Sequence, residues 1–199
     1  MKSIITISRE FGSGGRSIGR LVAEKLGYQF YDSEIVNKVA ERSGFDPEFI
    51  EESGEYASAR SSLLFAIATA NQYTVDGLSM HDKLYIEQTR IIEELAQEGN
   101  CVIVGRCADY ILRERKDCLH VFIHADMESR ARHIVERYGM REASPEKRLA
   151  DKDQKRKVYY RNYTGRNWGQ AQNYDICLNS GVLGENACAE IIVQAVRTE

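Results

Sequence analysis

The stretch ITISREFGSGGRSIGR, residues 5–20, is the feature that most constrains the fold. Residues 3–7 (SIITI) are typical of a buried strand, glycines follow at positions 12, 14 and 15, and residues 16–26 carry apolar side chains at helical spacing. A strand, a glycine-rich turn and a helix in this order bring backbone N–H groups and the positive helix end to one point, which binds phosphate. The stretch therefore predicts a phosphate-binding loop. The alternative is a plain glycine turn between strand and helix in another α/β protein.

The loop lacks the lysine of the usual pattern GxxxxGK(S/T). In one register Arg16 stands at the lysine position and Ser17 supplies the hydroxyl that would hold Mg²⁺. In the other register Gly15 stands at the lysine position, and Ser17 lies one place beyond the usual hydroxyl. Arginine binds phosphate through paired hydrogen bonds from its planar guanidinium, whereas lysine acts as a point charge. Replacing the lysine by arginine therefore changes how the loop contacts phosphate. We predict that Arg16 replaces the lysine in a donor-phosphate loop formed by Gly12, Ser13, Gly14, Gly15, Arg16 and Ser17.

The rest of the chain alternates short apolar runs with longer helical patterns. Further strands are predicted at residues 27–32, 101–105, 118–125 and 174–179. Helices are predicted at residues 16–26 and 33–43, within the helical segment 45–98, and at 126–139, 144–165 and 185–197. Strands separated by helices favour a parallel sheet covered on both faces. We therefore predict one α/β domain spanning residues 1–199, with a five-stranded parallel sheet flanked by helices.

Composition and charge exclude several classes of function. A net charge of −3 argues against a dedicated nucleic-acid-binding protein. No apolar run approaches the length of about 18 residues that a membrane span requires, so we expect a cytoplasmic protein without a membrane partner. The five cysteines form no CxxC pair, which makes a disulfide framework or a zinc site improbable. The oligomeric state stays open.

Four further segments carry a resemblance to a known family: FYDSEIVNK (30–38), VIVGR (102–106), DKDQKRK (151–157) and YYRNYTGRNWGQAQNYDICLNS (159–180). With the glycine-rich loop, they occur in the order expected of nucleoside monophosphate kinases. The chain resembles the cytidylate kinase-like family over nearly its whole length. The resemblance implies a P-loop kinase fold and ATP and Mg²⁺ as cofactors. It also implies a small phosphorylated acceptor, with a nucleoside monophosphate such as CMP or dCMP as the leading candidate.

The resemblance also implies roles for individual residues. Acceptor-binding positions correspond to Asp32, Ser33, Lys38, Arg106 and Asp153, with Lys38 where the family carries an arginine for the acceptor phosphate. Residues 45–98 would form the acceptor-binding lobe and residues 138–168 a basic lid. Arg16, Arg106 and Arg156 are then the candidate catalytic cations. The segment at residues 179–181 would lie against the donor adenine.

Two positions depart from the family pattern. Val104 stands where an acidic residue often precedes Gly-Arg, and Cys107 stands where an aspartate often follows it. Cytidylate kinases use that aspartate in reading the base, and Asp109 has the wrong spacing to replace it simply. The identity of the base in the acceptor nucleotide therefore stays open. Two other functions remain as alternatives: a nucleotide-binding module without turnover, and a kinase for a metabolite that is not a nucleotide.

Overall fold

A computed structural model of the chain describes residues 2–32, 34–44, 79–140 and 143–198. It contains a five-stranded sheet in which every pair of neighbouring strands is parallel, in the order β2-β3-β1-β4-β5. The strands are β1 (Ile4–Arg9), β2 (Gln29–Tyr31), β3 (Cys101–Val104), β4 (Cys118–His124) and β5 (Ile176–Asn179). The predicted five-stranded parallel sheet is confirmed, and each strand lies within two residues of its predicted bounds.

Helices cover both faces of the sheet. In the described ranges they are α1 (Gly15–Leu26), α2 (Glu34–Ser43), α3 (Met80–Glu98), α4 (Ala108–Ile111), α5 (Met127–Tyr138), α6 (Pro145–Thr164), α7 (Ser180–Leu183) and α8 (Glu185–Arg197). The two four-residue helices α4 and α7 were not predicted, because so short a segment shows no helical period. Residues 45–78 of the predicted helical segment lie outside the described residues. Among the described helices, none combines the length and apolarity that crossing a membrane would require.

The central strand β1 is buried along its whole length. Ile5 and Ile7 point to the layer of α1 and α8, and Ile4 points to the layer of α2 and α3. This alternation follows from the two-residue period of a strand, and burial on both faces explains the nearly continuous apolar sequence. A central strand packed on both sides provides a rigid support for the loop that follows it.

The carboxyl ends of the strands meet at one edge of the sheet. The glycine-rich loop follows β1, Asp32 follows β2, and Arg106 follows β3 at this edge. Because β1 pairs with β3 on one side and with β4 on the other, the chain reverses its winding direction at β1. A crevice forms at such a point, and it is where open α/β sheets bind ligands.

Candidate active site

The glycine-rich loop has a backbone that other residues could adopt only with strain. Gly12 and Gly14 have φ angles of +81° and +74°, in the left-handed region. A Cβ atom at Gly12 would lie 3.0 Å from the carbonyl oxygen of Arg130, and one at Gly15 would lie 2.5 Å from Cβ of Arg9. A Cβ atom at Gly14 would collide with the carboxylate of Glu185. The fold therefore requires glycine here, and it leaves the loop amides without side chains that would shield them.

The loop leads directly into the amino end of α1. Gly14 is the N-cap residue and makes no side-chain capping hydrogen bond, and no acidic residue lies in the first turn of α1. The first N–H groups of a helix have no intrahelical acceptor, and they carry the positive end of the helix dipole. This combination fits the phosphates of a nucleotide.

A cleft opens between this loop and the helices α5 and α6. It is lined by Arg9, Glu10, Phe11, Gly12, Gly14, Gly15, Arg16, Ser17, Asp32, His133, Arg137, Tyr138 and Arg156. Besides the three loop glycines, the structure thus brings together four residues that the sequence predicted for the site, namely Arg16, Ser17, Asp32 and Arg156. Arg137 adds a cation from α5 to the same cleft.

Arg16 lines the cleft and pairs with Asp32, the residue that follows β2. Its Nε lies 2.7 Å from a carboxylate oxygen of Asp32, and its side chain is 52% exposed. Because the ion pair uses Nε, the two terminal amino groups of the guanidinium are outside this contact. Asp32 thereby fixes the direction of the Arg16 guanidinium.

Ser17 makes a contact that the sequence did not predict. Its hydroxyl accepts a hydrogen bond of 2.6 Å from Nη1 of Arg137, in the last turn of α5. Arg137 and Ser17 are 120 residues apart in the chain, so no local pattern could have linked them. The contact places a second guanidinium beside the hydroxyl predicted to hold Mg²⁺.

Helix α6 contacts the backbone that leads into the loop. Nη1 of Arg156 donates a 2.9 Å hydrogen bond to the carbonyl oxygen of Arg9, and Arg156 is 3% exposed. Asp153 accepts a 2.8 Å hydrogen bond from the backbone N–H of Phe11 and pairs with Arg130 at 2.5 Å. Of these two predicted residues, Arg156 lines the cleft, whereas Asp153 lies behind the loop.

Arg106 follows β3 in an unusual backbone conformation. Gly105, Arg106 and Cys107 have φ angles of +74°, +59° and +55°, so three consecutive residues are left-handed. Left-handed non-glycine residues are uncommon, and they persist where surrounding contacts hold them. One such contact is the 3.0 Å hydrogen bond that Nε2 of Gln88 donates to the carbonyl oxygen of Arg106. Gln88, on α3, is thus a supporting residue that sequence reasoning missed.

Cys107 stands at the position where the family often carries a base-reading aspartate, and it is packed among aromatic rings. It is 3% exposed and clusters with Tyr159 and Tyr160 of α6. Asp109 lies behind it and accepts hydrogen bonds from Ser8 at 3.2 Å and from Tyr160 at 2.7 Å. Burial and the nearby Asp109 carboxylate raise the pKa of Tyr160. Its hydroxyl therefore stays protonated and donates a hydrogen bond to Asp109. Both oxygens of Asp109 therefore serve internal hydrogen bonds.

Lys38, another predicted acceptor residue, does not line the cleft. Lys38 is exposed on α2. It lies near Glu94 of α3, whose pKa is lowered first by its hydrogen bond with Arg42 and further by the charge of Lys38. Ser33 lies outside the described residues. Their predicted contacts with an acceptor stay predictions.

A second opening lies on the other side of the glycine-rich loop. Residues that line it include Gly12, Ser13, Arg132, Ser180 and Gly181. The hydroxyl of Ser180 donates to the backbone carbonyls of Ser13 at 2.7 Å and of His124 at 3.1 Å. The segment after β5 is therefore fastened against the phosphate loop, where the sequence predicted the donor adenine.

The residues at the cleft fit both implied cofactors. The loop and the uncapped amino end of α1 line the cleft, where backbone N–H groups suit phosphate oxygens. Mg²⁺ commonly takes only one or two protein oxygens and fills its remaining positions with water and substrate phosphates. Ser17 and Asp32 offer such oxygens in the same cleft. A dedicated cage is not present, since no group of three metal-ligating side chains occurs among the described residues.

Comparison with known sequences gives consistent matches over the whole chain. The sequence model of the cytidylate kinase-like family matches residues 4–182. A cytidylate kinase of Archaeoglobus fulgidus is 30% identical, with 98% of this chain and 95% of the relative covered. A cytidylate kinase of Pyrococcus horikoshii is 24% identical over 98% of this chain and 88% of its own.

Solved structures agree on the fold. A protein of Eubacterium ventriosum with no assigned function is 25% identical and superposes with a TM-score of 0.74, over 98% of this chain and 99% of the other. Shikimate kinase of Acinetobacter baumannii superposes with a TM-score of 0.55 at 16% identity, over 98% of this chain and 93% of its own. At that identity the likeness concerns the fold alone, which is the P-loop kinase fold.

Proposed function

Because the chain belongs to the cytidylate kinase-like family, we propose that it transfers a phosphoryl group from ATP to a small phosphorylated acceptor. The leading acceptor is a nucleoside monophosphate such as CMP or dCMP. Family and fold identify a nucleoside monophosphate kinase-like phosphotransferase, and the acceptor is the proposed part. All five cysteines are free thiols, and we place the reaction in the reducing cytoplasm.

The observation that carries this proposal is the convergence of cations on the glycine-rich loop. Arg16 comes from α1, Arg137 from α5 and Arg156 from α6, and all three line one cleft with the loop. Phosphoryl transfer leaves little covalent work to the protein, so catalysis depends on positioning and on stabilising charge at the moving group. A module that only binds a nucleotide has little need for cations from three separate elements. The arrangement therefore favours an enzyme over a binding module without turnover.

The donor side of the mechanism follows from the loop. The backbone N–H groups from Gly12 to Ser17 bind the donor phosphates, and the positive end of α1 stabilises their charge. Arg16 takes the part of the missing lysine, with its direction fixed by Asp32 at 2.7 Å. Mg²⁺, when bound with ATP, neutralises charge that develops on the phosphate oxygens. Ser17 and Asp32 are the residues that would hold it.

The acceptor side depends on residues at the ends of β2 and β3. Arg106 binds the acceptor phosphate in this proposal, at the rigid left-handed turn after β3. Arg156 and Arg137 donate to the oxygens of the phosphoryl group during transfer, where fixed donors stabilise developing charge most effectively. In this proposal the segment at residues 138–168 covers the donor phosphates and excludes water, which prevents simple hydrolysis of the donor.

One observation favours the second candidate, a kinase for a metabolite that is not a nucleotide. Cys107 is packed among Tyr159 and Tyr160, and Asp109 is engaged by Ser8 and Tyr160. The described residues at this turn therefore present no carboxylate that is open to a cytosine amino group. An acceptor that has no such amino group would not need a carboxylate at this turn.

A transfer assay separates these candidates. The assay follows labelled γ-phosphate from Mg-ATP to a panel of ribo- and deoxyribonucleoside monophosphates, with phosphorylated and neutral small metabolites alongside. Transfer to CMP or dCMP is the expected result. Transfer only to a metabolite would establish the second candidate. Intact ATP binding without transfer to any member of the panel would contradict both and favour the binding module.

A further inference from the structure

The backbone of Phe11, the residue immediately before the phosphate loop, is hydrogen-bonded through both its N–H and its carbonyl group to one buried ion pair. Its N–H donates to Oδ1 of Asp153 at 2.8 Å, and its carbonyl oxygen accepts from Nη1 of Arg130 at 3.3 Å. The same Nη1 lies 2.5 Å from Oδ2 of Asp153. The carboxylate of Asp153 on α6 and the guanidinium of Arg130 on α5 thus fix the backbone N–H and carbonyl groups of Phe11.

The pair is buried and uses the whole carboxylate. Asp153 is 7% exposed and Arg130 is 6% exposed. Glu10 completes the set: its Oε2 lies 3.5 Å from Nε of Arg130 and accepts a 3.2 Å hydrogen bond from the backbone of Ala125. Burying two charges is costly, so such a pair persists where hydrogen bonds offset the desolvation, and here Phe11 and Arg130 each engage one oxygen of Asp153. Both oxygens of Asp153 are therefore directed at partners inside the protein.

The position of Asp153 relative to the site agrees with this. Asp153 lines neither the cleft with Arg16 and Arg156 nor the second opening with Ser180. The backbone of α5 also approaches the loop closely, since a Cβ atom at Gly12 would lie 3.0 Å from the carbonyl oxygen of Arg130. The loop therefore rests on α5 and α6 and has its amide side toward the cleft.

We propose that Asp153 is a positioning residue for the donor phosphates, acting through the backbone of Phe11, and that it does not contact the acceptor. The inference rests on the proposed function in one respect, that the loop binds the donor. An anion-binding loop is effective when its N–H groups are already oriented before the ligand arrives, because the ligand then has no ordering cost to overcome. The Asp153–Arg130 pair supplies that orientation from outside the loop.

The test is the variant Asp153→Asn. Asparagine keeps the shape and still accepts from Phe11, but its amide nitrogen faces the donor groups of Arg130. Calorimetry should give dissociation constants for Mg-ATP and for tripolyphosphate that both rise at least tenfold, in the same ratio, because the loop reads phosphates only. Hydrogen exchange at the Phe11 amide should accelerate at least tenfold, whereas the KM of the acceptor found in the panel should change less than twofold. The matched control is Asp151→Asn, an exposed carboxylate on the same helix, which should change none of these quantities.

Two results would overturn the inference. One is unchanged affinity for tripolyphosphate. The other is a rise in acceptor KM as large as the rise in the dissociation constant of ATP. If Asp153→Asn does not fold, Arg130→Lys is the second variant, and it should weaken tripolyphosphate binding at least threefold while the protein stays folded. A wild-type protein that binds tripolyphosphate but transfers phosphate to nothing would contradict the proposed function and leave this inference standing.

Discussion

The two ends of the candidate site are built in different ways. At the donor end, six consecutive residues from Gly12 to Ser17 form the proposed binding surface, and Asp153 and Arg156 hold the preceding backbone in place. At the acceptor end, the predicted residues come from separate segments, and the structure gathers only some of them. Asp32 and Arg106 reach the carboxyl edge of the sheet, whereas Lys38 lies on the exposed surface of α2.

The difference has a physical origin. Phosphate binding by a loop uses backbone amides and glycine conformations, so a short sequence suffices to specify it. Recognition of an acceptor requires side chains that converge from distant parts of the chain. Their convergence depends on tertiary packing, here on the contacts that α3 and α6 make with the turn after β3. Each of the following variants tests one side of this comparison.

The largest effect is expected for Gly12→Ala. The new side chain would need a left-handed backbone, which costs about 1–2 kcal/mol, and it would press against the Arg130 carbonyl oxygen at 3.0 Å. Displaced loop amides should lower phosphoryl transfer by about a hundredfold or more. Steady-state kinetics and urea unfolding measure both effects. The control is Gly27→Ala, which has a similar φ angle of +69° and nothing within 4 Å of the added Cβ atom. If both variants lose activity equally, the crowding at the loop is not the cause.

At the acceptor end, Cys107→Asp tests whether the position can hold the base-reading acid of the family. A carboxylate buried among Tyr159 and Tyr160 should lower the free energy of unfolding by about 3 kcal/mol. The same change at the exposed Cys177 should cost less than about 0.5 kcal/mol. Thermal and urea unfolding of both variants give the comparison. An unchanged stability together with faster transfer to CMP would show that position 107 faces the acceptor.

A smaller effect is expected for Arg137→Gln. Its guanidinium contacts the Ser17 hydroxyl at 2.6 Å, so its loss should lower kcat about tenfold, which is about 1.4 kcal/mol. Arg90→Gln is the control, since Arg90 is exposed on α3 and lines neither opening. Rapid-quench measurement of the transfer step separates this effect from product release. An unchanged transfer rate would remove Arg137 from the mechanism.

The smallest effect is expected for Lys38→Ala. Because this side chain is exposed and lies near Glu94, the KM of the acceptor should change less than twofold. Steady-state kinetics with saturating Mg-ATP provide the measurement. A tenfold rise in KM would instead support the prediction that Lys38 holds the acceptor phosphate.

Sequence reasoning was most successful where local patterns decide the outcome. The strands and the longer helices follow from apolar periodicity, and the loop follows from three glycines between a strand and a helix. The caps of α5 and α6 were likewise readable, since Asp126 and Ser144 each accept a hydrogen bond from the backbone three residues on.

It was least successful for contacts that span the chain. Arg137 meets Ser17 across 120 residues, and Asp153 meets Phe11 across 142 residues. No periodicity relates such pairs, because their meeting depends on how α5 and α6 pack beside the loop. The family resemblance suggested Asp153 as an acceptor residue, which stays a prediction; its observed partners are Phe11 and Arg130. The support of Arg106 by Gln88 is a third case.

In the proposed function, Arg16 replaces the lysine of the phosphate loop. The most direct test is calorimetric binding of Mg-ATP to the wild-type protein and to Arg16→Ala, with Arg20→Ala as the control. Arg20 is exposed on the same helix and stacks on Phe30 with its guanidinium carbon 4.9 Å from the ring centroid. Loss of a charge-assisted hydrogen bond should weaken binding by about 1.5–3 kcal/mol, roughly ten- to a hundredfold, while Arg20→Ala binds as the wild type does. Equal affinity in Arg16→Ala and in the wild type would contradict the claim.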